Sequence, residues 1–250
     1  MFFRRVFPGS TSRLSIVDHN ESYGRHILAK ILGSTHVDTA LDLGCGNGDD
    51  LKIVSKYYPR SKLYGVDSGE WNFADLKIRG IEPIKLDIEK STLPFTDSSL
   101  DLIIANQTLE HTKEIFWINH EIFRTLKIGG RLFIGVPNVL SLHNRILMLL
   151  GQHPTQHKLI SAHVRPFSKV DTTRFYQTIG GRFLRLAGFW GSQFYPFPGF
   201  IARPLSRLFP NLSFSIFFLI EKTADYQDEF IRWTEQAKLE TNFFCGEKDR

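Results

Sequence analysis

The sequence predicts an α/β fold in which a mostly parallel sheet is covered by helices on both faces. Three observations predict it. Short apolar runs alternate with segments of helical periodicity between residues 39 and 136, the order of repeated strand–helix units. A glycine-rich run follows the first apolar stretch at once. The apolar runs around residues 41, 65 and 86 each lead into an aspartate, Asp42, Asp67 and Asp87.

The elements follow in order. Ile16, Tyr23, Ile27, Leu28, Ile31 and Leu32 recur at helical spacing, so a helix is predicted over 12–33 with Gly33 as its stop. Residues 39–43 form the first strand. A helix opens at Asp49 or Asp50 and is stopped by Pro59. Residues 62–66 form the second strand, 70–79 a helix ended by Gly80, and 84–86 a short third strand. Residues 100–105 form the fourth strand and 112–126 a helix. Gly129-Gly130 turns the chain into a fifth strand, 131–136, that Pro137 stops. A helix over 169–178 and strands over 183–189 and 214–221 complete the sheet. The remainder reads as a polar tail over 224–250, helical to about Lys238 and loose beyond it.

Open α/β sheets bind ligands at the carboxyl ends of their strands, where Gly44-Cys45-Gly46-Asn47-Gly48 lies. Glycine permits positive φ and close backbone approach there. The spacing is G-x-G-x-G, not the G-x-G-x-x-G of dinucleotide loops, which disfavours a nicotinamide-dependent oxidoreductase. Asp49 and Asp50 at the helix entrance would repel a pyrophosphate and suit a cationic, phosphate-free ligand. Asp42 is placed to meet an ammonium group, Asp67 to accept from both hydroxyls of a ribose, and Asp87 to meet an adenine amino group while Ile88 packs on the ring.

Composition bounds the rest. A chain of 250 residues, 42% hydrophobic and 23% charged, fits one domain with an elaboration. Two cysteines, Cys45 and Cys245, exclude a disulfide framework and a cysteine-based zinc site. Met1 to Pro8 lacks the apolar run of a signal peptide, and Phe214 to Ile220 is too short to span a bilayer, so a cytoplasmic location is expected. A formal charge of +5 is mild and favours an anionic substrate, an anionic membrane surface or RNA no more than an ordinary solvated surface. The 22 phenylalanines are unusual; those between Phe194 and Phe218, with Arg203 and Arg207 among them, pack a core, line a substrate wall or touch lipid at a membrane periphery.

In the stretches Leu41 to Gly48, Val66-Asp67, Leu86-Asp87-Ile88, Asp101 to Asn106, Leu109-Glu110-His111 and Leu126 to Leu132, the chain resembles the class I S-adenosylmethionine-dependent methyltransferases, type 11-like, a group that includes small-molecule O-methyltransferases. The resemblance implies a Rossmann-like seven-stranded sheet with a reversed final strand. It implies S-adenosyl-L-methionine as cofactor, bound by Asp42, Gly44, Cys45, Gly46, Asn47, Gly48, Asp67, Ser68, Asp87 and Ile88, with Asn106 and Gln107 beside its methionine part. The domain then covers 1–223, with the cofactor core over 38–138 and a substrate insert over 138–168. The run His163 to Ser168 resembles a segment of bacterial members, some encoded with polysaccharide biosynthesis. Asn106-Gln107-Thr108-Leu109 is not the Asn-Pro-Pro-Tyr run of enzymes that methylate base amines.

Methyl transfer needs nucleophile, methyl carbon and sulfur held in line, and a hydroxyl acceptor gains from a base. His111 is the first catalytic candidate and His163 the second, with Arg165 placed to hold an anionic group. His143, His153, His157 and His163 match no common ligand spacing, so no metal is expected. The expected function is methylation, on oxygen, of a small molecule, a sugar or a lipid-linked precursor. The competing readings are an RNA or protein methyltransferase, with no accessory RNA-binding module to support it, and a non-catalytic protein that only binds S-adenosylmethionine. The oligomeric state is open.

Overall fold

The computed structural model describes residues 23–33, 36–239 and 243–246. Helix α1 (Arg25–Leu32) leads into β1 (Thr39–Leu43), α2 (Asp49–Tyr57), β2 (Lys62–Asp67), α3 (Phe73–Ile78) and β3 (Ile81–Lys85). Then come β4 (Leu100–Asn106), α4 (Ile115–Thr125), β5 (Leu126–Pro137) and α5 (Leu142–Leu149). The chain ends with α6 (Lys169–Gly180), β6 (Leu184–Ser192), α7 (Gly199–Leu208), β7 (Ser215–Lys222) and α8 (Glu229–Gln236). Of the helix predicted over 12–33, the part before Tyr23 lies outside the described residues.

The seven strands form one sheet in the order β3-β2-β1-β4-β5-β7-β6. Strands β1 to β5 pair in parallel, and β7 runs antiparallel between β5 and β6. Successive side chains of a strand point to opposite faces, and β4 shows the consequence. Leu102 and Ile104 join Ala40, Phe133 and the α1 residues Ile27, Leu28 and Ile31 in one core. Ile103 and Ala105 join Leu41, Leu132, Ile134 and the α4 residues Ile118, Ile122 and Phe123 in the other. A sheet covered on both faces needs apolar residues at every position, which is why the strands read as continuous apolar runs.

The chain first builds outward from β1 to β3, then crosses to β4 on the other side of β1. That reversal opens a crevice at the carboxyl ends of β1 and β4. Thr108, just past β4, closes its floor by donating from Oγ1 to the Leu43 carbonyl at 2.7 Å.

Several elements differ from the sequence expectation, among them α5 and α7, where no helix was expected. The third strand is Ile81–Lys85, not 84–86. It contains Pro83, which reads as a breaker, but β3 is an edge strand and the missing N–H costs no ladder bond. The fifth strand begins at Leu126, since Leu100 pairs with Leu126 and Leu102 with Arg131, and Gly129-Gly130 lie in the irregularity between. Helix α3 is shorter than 70–79. The tail helix covers only Glu229–Gln236, and residues 243–246 are packed. Phe243 meets the Phe116 ring edge-on at 4.9 Å, Phe244 meets Trp117 at 5.0 Å, and the Phe244 N–H donates to Glu114 Oε2 at 2.8 Å.

The insert leaves β5 and returns at one point, where Asn138 bridges to Phe167 and the Val139 N–H donates to the Phe167 carbonyl. Buried Asn144 organises it, donating from Nδ2 to the Asn138 carbonyl and Gln156 Oε1 and accepting from the Thr155 N–H. Lys222 is buried and donates from Nζ to the Phe123 and Leu126 carbonyls, satisfying the carboxyl end of α4.

Phe230 of α8 is fully buried and stacks on Phe123 at 5.5 Å between ring centroids. Phe230→Ala is expected to destabilise the fold by about 3–5 kcal/mol, the usual cost of emptying a buried phenylalanine site. Urea unfolding checks it: a loss under 1 kcal/mol would mean that α8 is an appendage and not part of the core.

Candidate functional site

The glycine loop stands at the mouth of the crevice. Gly44, Gly46 and Gly48 have φ of +71°, +51° and +72°, all in the left-handed region. A Cβ on Gly44 would lie 2.7 Å from Thr108 Oγ1, so this glycine lets β1 and β4 close together. A Cβ on Gly46 would meet nothing within 4 Å, so the backbone there faces open space. The Gly44 and Cys45 N–H groups both donate to the Val66 carbonyl, which ties the loop to the end of β2. Cys45 packs its Sγ against Gly65, and burial, with the Asp42 and Asp67 charges, pushes its thiol up to about 12. It is a packing residue with no thiolate character. Asn47 is exposed, and its carbonyl accepts from Arg79 Nη1.

Asp67 ends β2 and is oriented at both oxygens. Oδ2 accepts from the Gly46 N–H at 3.2 Å and Oδ1 from the Gly69 N–H at 3.1 Å. Each oxygen keeps a lone pair for a further donor. Ser68 beside it is exposed. The Leu86 N–H donates to the Asp67 carbonyl, which brings the chain after β3 alongside. Asp87 stands two positions beyond β3, exposed, with Oδ1 accepting from the Glu89 N–H in a tight turn. Ile88 is partly buried against the core beside it.

Behind the loop lies a group of buried acids. Asp42 is 3% exposed and Asp50 6% exposed. Arg25 of α1 donates from Nε to Asp50 Oδ1 at 2.9 Å and lies 3.3 Å from Asp49. Asn106 Nδ2 donates to Asp50 Oδ2 at 2.8 Å and to the Tyr23 carbonyl at 2.9 Å. Arg25 thus pairs with both Asp49 and Asp50, Asn106 with Asp50 alone, and Arg79 Nη1 also lies 3.7 Å from Asp49. Burial, reinforced by the Asp50 charge, raises Asp42 well above the usual carboxylate range even though Arg25 lowers it. Burial raises Asp50 as well, against the opposing Asn106 and Arg25 hydrogen bonds.

The exit of β4 forms the opposite wall. Gln107 has φ of +57°, donates its N–H to the Gly135 carbonyl, and leaves its buried Nε2 without a hydrogen-bond partner. A turn of 3₁₀ helix, Leu109–His111, follows. Its middle residue, Glu110, is 1% exposed, and neither carboxyl oxygen has a partner. Burial pushes this carboxyl up to about 8. The insert returns here: the Val164 and Arg165 N–H groups both donate to the Glu110 carbonyl. His163 meets His111 edge-on at 4.7 Å between ring centroids. Burial and the neighbouring His111 and His157 push His163 down to about 4, so it is neutral at physiological pH. Arg165 is occupied, donating to the Thr112 and Lys113 carbonyls; it clamps this loop and does not present a free cation to a substrate.

Of the residues singled out in the sequence, the structure brings Asp42, Gly44, Gly46, Asp67, Asn106 and Gln107 to one crevice, and His111 and His163 together past the end of β4. Arg25 and Glu110 were missed as site residues, and Asp50 was read only as a charge at the helix entrance. Arg25 reads as a helix surface charge until α1 docks on α2. Glu110 lies within Leu109-Glu110-His111, but nothing local says that the insert buries it.

The comparisons with known proteins agree with this geometry. The family described as "Methyltransferase domain" matches residues 41–134. Trans-aconitate 2-methyltransferase of Rhizobium rhizogenes is 29% identical over 133 residues, covering 52% of this chain and 50% of that protein. Demethylmenaquinone methyltransferase of Lactobacillus johnsonii is 28% identical over 185 residues, covering 68% and 75%. A solved SAM dependent methyltransferase from Aquifex aeolicus has a TM-score of 0.53 at 17% identity, covering 81% of this chain and 91% of that one, a likeness of fold. Residues 41–134 of this chain are thus a methyltransferase domain of the S-adenosylmethionine-dependent type. Three of the curated relatives are matched over only 41%, 17% and 50% of their own length.

The raised Asp42 carboxyl has a consequence for stability. An acid whose folded pKa is raised binds its proton more tightly in the folded state, so its favourable contribution is complete below the usual carboxylate range and is lost as pH rises through the raised value. Asp42→Asn is therefore expected to raise the unfolding midpoint at pH 7, with the gain shrinking to nothing below pH 3.8. Thermal melts across pH check it, and a variant less stable at pH 7 would contradict the assignment.

Proposed function

We propose that this protein is an S-adenosylmethionine-dependent methyltransferase that methylates an oxygen of a small molecule, a sugar or a lipid-linked precursor. The observation that carries the reading is the acidic cradle around open Gly46: buried Asp42 and Asp50 lie behind the loop and Asp67 is fixed at its rim. A cation is the ligand such a cradle favours, because it relieves carboxylates that burial makes costly. S-adenosylmethionine supplies an ammonium group and, on a sulfonium, the methyl group that is transferred.

Asp67, already held by two backbone N–H groups, serves the ribose hydroxyls, with Ser68 beside it. Ile88 offers an apolar surface to the adenine, and Asp87 a carboxylate to its amino group. Gly44, Cys45, Asn47 and Gly48 shape the loop that lets the ligand approach the backbone. Asp42 faces the positive end, and Asn106 acts through Asp50, which it holds in place. Gln107 Nε2, unpartnered in the protein, is a donor for the carboxylate of the methionine part. His111 and His163 place imidazoles where an acceptor hydroxyl loses its proton, and Arg165 is a positioning residue for both.

The acceptor side adjoins an apolar surface. Leu149, Leu159, Ile160 and Phe200 are 86%, 101%, 95% and 78% exposed, and Leu150, Leu208 and Phe209 are exposed with them. Arg145, Lys158, Arg203 and Arg207 are exposed in the same segments. The insert and the α7 segment meet where His143 packs on Tyr195 at 4.5 Å. Exposed apolar side chains with basic ones in the same segments suit contact with an anionic membrane, which would bring a lipid-linked acceptor to the site.

Isothermal titration tests the cofactor. S-adenosylmethionine and S-adenosylhomocysteine are expected to bind in the micromolar range, and Asp67→Ala to weaken both about 10–100-fold, the worth of one or two charge-assisted hydrogen bonds. Absence of binding by folded protein would sink the reading. Co-sedimentation tests the membrane contact: vesicles containing phosphatidylserine should retain the protein, and Leu149→Asp with Phe200→Asp should release it. Equal recovery with neutral vesicles, or none with either, would remove lipid from the proposal.

A further inference from the structure

Glu110 is a buried acid that neither the fold nor cofactor binding explains. It is 1% exposed, and both its oxygens lack hydrogen-bond partners. A buried polar group left in this way is costly, and native structures contain few of them. Among the described residues no side chain hydrogen-bonds it. The Arg165 guanidinium, whose own backbone N–H donates to the Glu110 carbonyl, donates to the Thr112 and Lys113 carbonyls. What does converge on Glu110 is a pair of imidazoles. Donor atoms of Glu110, His111 and His163 all lie within 4.8 Å of one another.

We propose that Glu110, His111 and His163 form a binding site for a divalent first-row transition metal, of the Zn²⁺ type. Two imidazoles and one carboxylate are a ligand set that such ions favour, whereas Mg²⁺ and Ca²⁺ prefer all-oxygen surroundings.

The orientation of His111 supports the assignment. Its Nδ1 lies 3.3 Å from the Ala162 carbonyl. A carbonyl only accepts, so the proton of the neutral ring sits on Nδ1. The lone pair is then on Nε2, which lies 3.9 Å from Glu110 Oε1. A second ring nitrogen held by a backbone carbonyl is how metal-ligating histidines are commonly fixed. His163 brings a neutral imidazole whose Nδ1 is buried without a partner. The Val164 and Arg165 N–H groups clip the returning insert to the Glu110 carbonyl, so one ligand arrives from the insert and two from the exit of β4. The spacing of the four insert histidines gave no sign of this, because only His163 of them takes part.

Three protein ligands leave coordination positions open, as in catalytic rather than structural metal sites. The site lies past β4, beyond Thr108, which anchors to the end of β1. If the methyltransferase reading holds, a bound cation stands where an acceptor oxygen would sit. Metal binding itself does not rest on that reading.

The test uses the full chain, stripped with a chelator and titrated with Co²⁺ and, separately, Zn²⁺. One equivalent of Co²⁺ is expected to give visible d–d absorption of four- or five-coordinate type. Zn²⁺ should displace it, and excess Mg²⁺ should not. Glu110→Gln and His163→Gln should each weaken Co²⁺ binding at least tenfold, and so should His111→Gln, whose exposed side chain makes misfolding a poor explanation. Binding of S-adenosylhomocysteine, measured on the same samples, should not change, which separates failure of the metal site from failure of the cofactor reading. No stoichiometric binding to the wild-type chain, or the same spectrum and affinity in all three variants, overturns the proposal. In the first case a proton alone occupies the Glu110 pocket.

Discussion

The contact between β1 and β4 governs the molecule. Two strands far apart in sequence become neighbours because the chain reverses its progress across the sheet between β3 and β4. The glycine loop at the end of one and Gln107-Thr108 at the end of the other then share a crevice. Gly44 has no Cβ to keep them apart, and Thr108 bonds across the gap to Leu43. The crevice is a property of topology, and the residues that line it occur where strands end.

The protein holds carboxylates there at a cost. Asp42, Asp50 and Glu110 are all removed from water, and their carboxyls are all raised by burial. Only Asp50 has strong partners of its own. Buried charge without compensation lowers stability, and such groups concentrate where a ligand completes them. The loss is offset by two apolar cores, one on each face of the sheet, and by the aromatic cluster of Phe123, Tyr176, Phe183 and Phe230. Many of the phenylalanines belong to this scaffold. Phe217 and Phe218 are fully buried, whereas Phe200 and Phe209 are exposed. The Phe-rich stretch is therefore two things, a core strand and a surface.

The insert over 138–168 connects these features. It is closed at its base by Asn138 and Phe167, stiffened by buried Asn144, and pinned to Glu110 by two backbone N–H groups. It delivers His163 to the end of β4 and raises Leu149, Leu159 and Ile160 into solvent. A single segment thus contributes both the imidazole that meets His111 and exposed apolar side chains.

Periodicity and spacing alone determined the alternation of strands and helices, the glycine loop and the strand-end acids. These are local signals: a strand buried on both faces must be apolar throughout, and a tight turn with positive φ must be glycine. They also placed β6 and β7, though not the pairing of β7 with β5. The third strand was expected at 84–86, but its start at Ile81 was not, since it includes Pro83, which a strand tolerates at a sheet edge. Tertiary structure alone decided which groups lost their water. Arg25 becomes the counter-ion of Asp50 only when α1 docks on α2, and Asn106 turns to Asp50 and not outward. Glu110 becomes a buried, unpartnered acid only when the insert folds back over it. Burial is set by residues distant in sequence, and desolvation, which gives these carboxylates their chemistry, follows from burial.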